Sequence, residues 1–165
     1  MPVGRFLVGV AALIFDPETK RYLLLRRSQA KDVGAGSWEC PTGRVDQGES
    51  IEEGLIREVR EELQVEARPR FILGTTHFYR GEEIVENELV SVLYACEIDD
   101  PGAIRTGPEH DEARWMTRAE VAEFLPERHW IQWVIERAEA MEAGMTPGLQ
   151  RRLLEEGYEV TGRVM

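Results

Sequence analysis

The sequence predicts a single α/β domain in which helical layers cover both faces of a mixed β-sheet. Its 165 residues suit one domain, and its hydrophobic fraction of 42% is enough to build a buried core. Short β-branched or leucine-rich segments alternate with a strongly amphipathic helical segment, and the last third of the chain has helical periodicity. Strands interleaved with helices in this way are typical of layered α/β domains.

The first two strands are predicted over residues 6–15 and 22–26, separated by the turn-forming segment 16–20. Both are apolar over their whole length, which is typical of strands buried on two faces, and we expect them to form a hairpin. Residues 6–15 also have the length of a secretory signal core, but no small-residue cleavage site follows them. No segment approaches the ~18 apolar residues of a membrane span, so we expect no membrane association.

The middle of the chain predicts further strands separated by glycine-containing and acidic loops. The predicted elements are a loop over 28–37, an extended segment over 39–45, strands over 70–80 and 88–99, and a short last strand over 113–116.

Three helices are predicted after the last strand. Thr117 and Glu120 form a capping box that starts the first helix, which Pro126 ends. The second covers residues 129–141, and the third starts at Pro147 and ends at Gly157. We therefore expect a domain of residues 1–145 followed by a C-terminal helical extension of residues 146–165 that packs on the same domain.

The charge balance limits the classes of ligand. Twenty basic and 31 acidic residues give a net charge of −11, which argues against a nucleic-acid binder with a basic surface. An anionic small molecule would need a cation to mediate its binding. Cys40 and Cys96 are too few for a disulfide framework, so we expect both to be buried apolar residues of a cytoplasmic protein. The oligomeric state stays open between a monomer and a homodimer.

The segment 43–65 is unusually acidic and contains a predicted helix. Ser50 and Glu53 form a capping box, so the helix should begin at residue 51. At 100° per residue one stripe is apolar, and three glutamates occupy the neighbouring arc rather than the solvated back. The apolar stripe is Leu55, Ile56, Val59 and Leu63, and the acidic arc is Glu58, Glu61 and Glu62.

Two interpretations of the acidic arc stay open on geometry alone. It is either a solvated acidic face or a metal site. Like charges three and four residues apart repel, and partial burial strengthens the repulsion. Hard divalent cations prefer such oxygen ligands, and Mg²⁺ also bridges proteins to substrate phosphates. A cation would therefore explain both the clustered charge and the binding of an anion by an acidic protein.

The residues around this helix fit a known pattern in register. The pattern is Gly, five residues, Glu, seven residues, then Arg-Glu-apolar-any-Glu-Glu-any-Gly-apolar. It is matched by Gly43, Glu49, Arg57, Glu58, Val59, Glu61, Glu62 and Val65, and only Gln64 departs, where the pattern has Gly. With this motif the chain resembles the Nudix (MutT-like) hydrolase family. The segments LLLRRS, SWECPTG and EHDEARWMTRAEV extend the resemblance over roughly residues 6–136.

The resemblance implies an α/β/α sandwich that hydrolyses a nucleoside diphosphate linked to another moiety, X, with Mg²⁺ or Mn²⁺. It implies that Glu58, Glu61 and Glu62 ligate the metal, with one of them or a later acid as general base. It also implies that Glu49 and Arg57 pair to steady the loop against the helix. Thr42 stands where the family often has a glycine whose carbonyl binds metal.

Residues outside the motif complete the candidate site. Glu109, Asp111 and Glu112 precede Trp115 in a predicted loop, and one of them could complete the metal set or act as base; we select Glu112 as the catalytic candidate. The substrate-binding candidates are Arg26 and Arg27 for phosphate and Tyr79, Phe78 or Trp130 for stacking on a base. Each of these residues has an ordinary surface or packing role as its alternative, and His77 is interpreted as structural.

Two other functions are kept as alternatives. One is a nucleotide-sensing Nudix domain without catalysis, whose support is Gln64, because a non-glycine residue at a helix end with positive φ costs roughly 1–2 kcal/mol. The other is a Nudix-like prenyl diphosphate isomerase, which would need a catalytic cysteine, and Cys40 is a poor isolated candidate. The sequence does not identify X beyond a nucleotide or another diphosphate-containing small molecule.

Overall fold

A computed structural model describes residues 5–31 and 33–159. Within these residues, seven strands form one sheet of order β3-β2-β1-β6-β5, with β4 paired to β1 and β7 paired to β2. The strands are β1 (Leu7–Asp16), β2 (Arg21–Arg27), β3 (Trp38–Glu39), β4 (Thr42–Arg44), β5 (Ala67–Tyr79), β6 (Glu88–Ile98) and β7 (His110–Met116). Because β1 and β6 are parallel and the other pairs are antiparallel, the sheet is mixed, as predicted.

Four helices and one 3₁₀ turn complete the described elements. They are α1 (Ile51–Leu63), α2 (Arg118–Phe124), α3 (Trp130–Gly144), α4 (Pro147–Glu156) and the turn Val85–Asn87. Both predicted capping boxes are present, at Ser50 and at Thr117, and each helix begins at the following residue. No helix among the described residues is long and apolar enough to cross a membrane.

The sheet separates two hydrophobic clusters. Alternate residues of β1 and β2 point to opposite faces, so Ile14 and Leu23 pack with α1 while Leu13 and Leu24 lie on the face covered by α2 and α3. On α1, Leu55, Val59 and Leu63 are buried as the apolar stripe predicts, whereas Ile56, its fourth member, is only half-buried. Burying each such side chain contributes about 1.5–3 kcal/mol. The predicted α/β/α sandwich is therefore confirmed.

The predicted hairpin is only partly correct. β1 and β2 pair only at Phe15↔Tyr22 and Asp16↔Arg21, after which β1 runs beside β6 from Leu7↔Leu89 to Ile14↔Cys96. β2 instead pairs along its length with β7. The last strand is also longer than predicted, because β7 begins at His110 rather than at residue 113. Both differences arise from long-range pairing, which local turn signals do not encode.

Helix α4 follows α3 directly and contacts β5, but none of its own residues is buried. It begins with Thr146 as its N-cap and ends at Gly157, as predicted. The division of the chain at residue 145 stays a prediction.

Candidate active site

The loop before α1 brings Gly43 directly against Glu58. A Cβ added at Gly43 would lie 1.8 Å from Cδ of Glu58, so only glycine lets this side chain reach β4. One oxygen of Glu58 accepts a hydrogen bond from the backbone N–H of Arg44 at 3.1 Å and another from Arg57 at 2.9 Å. The close approach fixes the carboxylate at the junction of β4 and α1.

Arg57 ties the loop to the helix. Its Nε and Nη2 donate to the two oxygens of Glu49 at 2.8 and 2.9 Å, and Nη2 also donates to the Arg44 carbonyl at 2.7 Å. These hydrogen bonds hold the pKa of Glu49 below its usual range and raise the pKa of Arg57. A bidentate pair of this kind fixes orientation as well as charge, so Arg57 is placed to orient Glu58.

Glu62 is the most unusual carboxylate in the described structure. The residue is 5% exposed, and its Oε2 has no hydrogen-bond partner among the residues that the structure describes. Burial, followed by the negative charges of Glu39, Glu58 and Glu109, raises the pKa of Glu62 to about 9. An isolated buried carboxylate is unfavourable unless it is protonated or paired with a cation.

The loop between β6 and β7 covers the C-terminal end of α1 and delivers Glu109. Backbone N–H groups of Arg105 and Gly107 donate to the carbonyls of Leu63 and Glu62 at 3.0 and 2.8 Å. These bonds satisfy carbonyls that a helix end leaves without partners. Glu109 pairs with Lys31 at 2.6 Å, which lowers the pKa of the Glu109 carboxyl.

Gln64, the residue that departs from the family motif, has the backbone conformation expected of a glycine at this helix end. It has φ 59° and ψ 28°, the left-handed conformation that glycine adopts easily, and its N–H donates to the carbonyl of Arg60. The substitution therefore stores local strain and keeps the shape of the helix end.

A network that the sequence did not indicate lies beside Glu62. Glu39 is 3.0 Å from Nη1 of Arg27 and 3.1 Å from Nε2 of His110, whose side chain is fully buried. Burial opposes ionisation of Glu39, but the hydrogen bonds from His110 and Arg27 outweigh it and lower the pKa. The only signal in the sequence is a charged residue, Glu39, inside a short strand.

Glu112 and Arg26 lie apart from this acidic group. They are paired across β2 and β7, 3.5 Å apart, and β3 places Trp38 beside Arg26. Paired residues share a face and neighbours alternate, so Glu112 lies on the α2 and α3 face with Trp38, opposite Glu39. Alternation along β2 therefore turns Arg27 to the face of α1, and a register shift after Arg26 pairs Arg27 with His110.

The other candidates have neighbours of their own. Asp111 accepts a hydrogen bond from the backbone of Gln29. Tyr79 lies against His77 at the end of β5, and the Trp130 ring stacks on His129. None of these contacts joins them to the carboxylates of α1. His77 pairs with Glu88 on the surface, 2.8 Å away.

The described side chains do not form a ready-made metal centre, since no group of three or more His, Cys, Asp or Glu is arranged to hold an ion. Glu58 is held by Arg57, the Glu61 side chain is 60% exposed, and Glu62 points inward. The chemistry of the donors nevertheless fits Mg²⁺, which prefers oxygen ligands. The unpartnered oxygen of Glu62 is the observation that most directly fits a cation.

An α/β/α sandwich with an acidic loop–helix–loop site defines the class of this protein. The NUDIX domain model matches residues 5–138. The chain therefore belongs to the Nudix family, as its sequence motif indicated.

Curated relatives and solved structures agree with this assignment. The chain is 39% identical over 118 residues to the CTP pyrophosphohydrolase of Escherichia coli (strain K12), covering 72% of this chain and 82% of that protein. The MutT protein from Methanosarcina mazei Go1 has a TM-score of 0.69 at 26% identity, covering 86% of this chain and 99% of that one. Nudix hydrolase 6 of Arabidopsis thaliana is 29% identical over 112 residues, 66% of this chain. The chain spans 38% of the length of that relative and 21% of Nudix hydrolase 2 of the same organism.

Proposed function

We propose that this protein is a Mg²⁺-dependent pyrophosphohydrolase that cleaves a nucleoside diphosphate linked to a moiety X, with Mn²⁺ as an alternative metal. The observation that carries the proposal is the buried carboxylate of Glu62, one oxygen of which has no hydrogen-bond partner among the described residues, within a complete set of family glutamates. Such a group is costly in a protein that does not use it.

Because the site is negatively charged, a phosphate-containing ligand would need a cation in order to bind there. The negative charges of Glu39, Glu58 and Glu109 all act on the buried Glu62. A diphosphate brought against them would be repelled. Glu58, Glu61 and Glu62 would hold the metal, with the Thr42 carbonyl as a further oxygen donor. When bound, Mg²⁺ would neutralise phosphoryl oxygens and make a water more acidic.

The chain's own residues supply orientation and proton transfer. Arg57 keeps Glu58 directed at the β4 junction through its bond to Glu49. Glu109 is a better candidate than Glu112 for the base that accepts a proton from the attacking water, because Glu109 lies on the α1 side of the sheet and Glu112 on the other. Arg27 is on the same side and is the better candidate for phosphate than Arg26.

Neither alternative function gains support from the site. Cys40 is 2% exposed, and burial raises the pKa of its thiol far above the usual range, so it is unsuited to isomerase chemistry. Gln64 keeps the backbone conformation expected of glycine, which removes the reason to expect an inactive sensor.

A substrate panel tests the proposal. The relative named CTP pyrophosphohydrolase makes nucleoside triphosphates such as CTP and dCTP the first compounds, followed by nucleotide sugars and dinucleoside polyphosphates. Products should appear only with Mg²⁺ or Mn²⁺, and hydrolysis in ¹⁸O water should label a phosphate product. Glu58→Gln should abolish turnover, while Glu66→Gln, at an exposed glutamate paired with Arg60, should keep it. Tight nucleotide binding without turnover under both metals would instead support the sensor function.

A further inference from the structure

The three residues that follow α4 contact the sheet and α1 more closely than α4 itself does. We call Gly157–Glu159 the C-terminal clasp. α4 has no buried residue, whereas all three residues of the clasp are half-buried. The clasp also lies beyond residue 138, where the match to the NUDIX domain model ends. It is therefore a feature of this chain outside the matched region.

The clasp and α1 are joined by two glutamate side chains, each of which accepts backbone hydrogen bonds from the other element. One oxygen of Glu52, in the first turn of α1, accepts from the N–H groups of Tyr158 and Glu159 at 2.5 and 3.1 Å. In return, the Glu159 carboxylate accepts from the N–H of Ile51. Ile51 is the first residue of α1, and its N–H has no partner within the helix. A carboxylate at this end also interacts favourably with the helix dipole.

Tyr158 attaches the clasp to the sheet. Its hydroxyl donates to the carbonyl of Arg70 on β5, and its ring packs edge-on against Tyr94 of β6 with the ring centroids 5.9 Å apart. The side chain touches the hydrophobic clusters on both sides of the sheet. Burial raises the pKa of Tyr158 to about 12, so the hydroxyl stays a neutral donor. The clasp thus joins the start of α1 to two strands.

A short path leads from the clasp to the candidate site. Ile51 is two residues after Glu49, which Arg57 holds with two hydrogen bonds, and Arg57 also donates to Glu58. We propose that the C-terminal clasp is a positioning element that fixes the first turn of α1 and, through Glu49 and Arg57, the metal-binding orientation of Glu58. Its effect on metal binding rests on the proposed function, but its effect on the first turn does not.

The experiment compares Glu159→Ala with Glu159→Gln, whose amide oxygen still accepts from Ile51. The control is Glu156→Ala, which removes an exposed carboxylate that pairs with Arg152 on α4. Hydrogen exchange of the Ile51 amide is measured by NMR without metal, and Mn²⁺ alone is then titrated. We expect Glu159→Ala to exchange at least tenfold faster and to bind Mn²⁺ several-fold more weakly. Glu159→Gln should recover most of both properties, and Glu156→Ala should match the parent.

The outcomes separate the two proposals. If the Ile51 amide of Glu159→Ala exchanges as slowly as that of the parent, the proposed role of the clasp is wrong. Faster exchange with unchanged Mn²⁺ affinity would also contradict that role. If the parent protein binds no Mn²⁺ and hydrolyses no substrate, the proposed function is wrong. Hydrogen exchange of the Ile51 amide would still test whether the clasp fixes the first turn of α1. With an active substrate, Glu159→Ala should lower kcat at limiting Mn²⁺ and approach the parent at saturating Mn²⁺. A purely structural defect would not be relieved by added metal.

Discussion

The two ends of α1 differ in how their acidic side chains are paired. At the N-terminal end, Ser50 and Glu53 form a capping box and Glu52 accepts two backbone hydrogen bonds from the clasp. At the C-terminal end, Glu62 keeps a buried oxygen without a partner and Gln64 is held in a left-handed conformation. One end therefore stabilises the helix, while the other stores unfavourable free energy.

This difference indicates where a ligand acts. Native proteins pair nearly all buried polar groups, so an unpaired one indicates strain, chemistry or a missing partner. Hydrogen bonds anchor the N-terminal end of α1, and at the other end lies the oxygen of Glu62 that has no partner among the described residues. Arg57 lies between the two ends, bonded to Glu49 on one side and to Glu58 on the other.

The largest expected effect comes from removing Arg57, which connects Glu49 to Glu58. Arg57→Ala removes the partner of Glu49 and frees Glu58, so we expect turnover to fall by about 10²-fold, the scale of losing a positioning contact. Arg60→Ala is the matched control on the same helix, because among the described residues the Arg60 side chain pairs only with exposed Glu66. Steady-state kinetics and circular dichroism are measured for both variants. Equal activity of the two variants would remove the orienting role of Arg57.

The second effect concerns stability against pH in EDTA. The pKa of Glu62 is raised from 4.5 to about 9 in the folded state, so between these values the folded protein holds a proton that the unfolded chain has lost. Stability is full below the lower value and falls as pH rises, by roughly 1 kcal/mol per pH unit between about pH 5 and pH 8. Urea unfolding should show this slope in the parent and a smaller one in Glu62→Gln. Parallel slopes would mean that Glu62 titrates normally.

The smallest effect is expected at Gln64. Replacing it with glycine relieves a left-handed conformation that costs an L-residue about 1 kcal/mol or slightly more, although glycine gives part of this back as unfolded-state entropy. Gln64→Gly should therefore raise the free energy of unfolding by about 0.5 kcal/mol without lowering activity. Gln64→Ala, with the same backbone strain, is the control in urea unfolding. A less stable glycine variant would show that the Gln64 side chain stabilises the helix end.

Much of the helical structure could be predicted because its signals are local. The capping boxes at Ser50 and Thr117 predict the first residues of α1 and α2. The motif likewise predicted that Glu49 and Arg57 would lie together, which the geometry agrees with.

The remaining features depend on contacts distant in sequence. The parallel pairing of β1 with β6 joins segments about 80 residues apart, and no local pattern specifies it. Glu112 was selected from a loop of several acids, but the alternation of β7 places it on the far face of the sheet. The interaction of Glu39 with His110 and that of Glu52 with the clasp were missed for the same reason.

Thermal melting of the parent and of Glu62→Gln, each in EDTA and in Mg²⁺, tests whether Glu62 is a metal ligand. In EDTA the variant should melt no lower than the parent, because it removes a buried carboxylate that three neighbouring acids oppose. In Mg²⁺ the order should reverse, because the variant lacks one metal ligand and should gain less from the metal than the parent. A ligand that binds only the folded state adds about 2.7 kcal/mol to its stability at a hundredfold excess over Kd. Equal metal-induced shifts in the two proteins would contradict the assignment of Glu62 as a metal ligand.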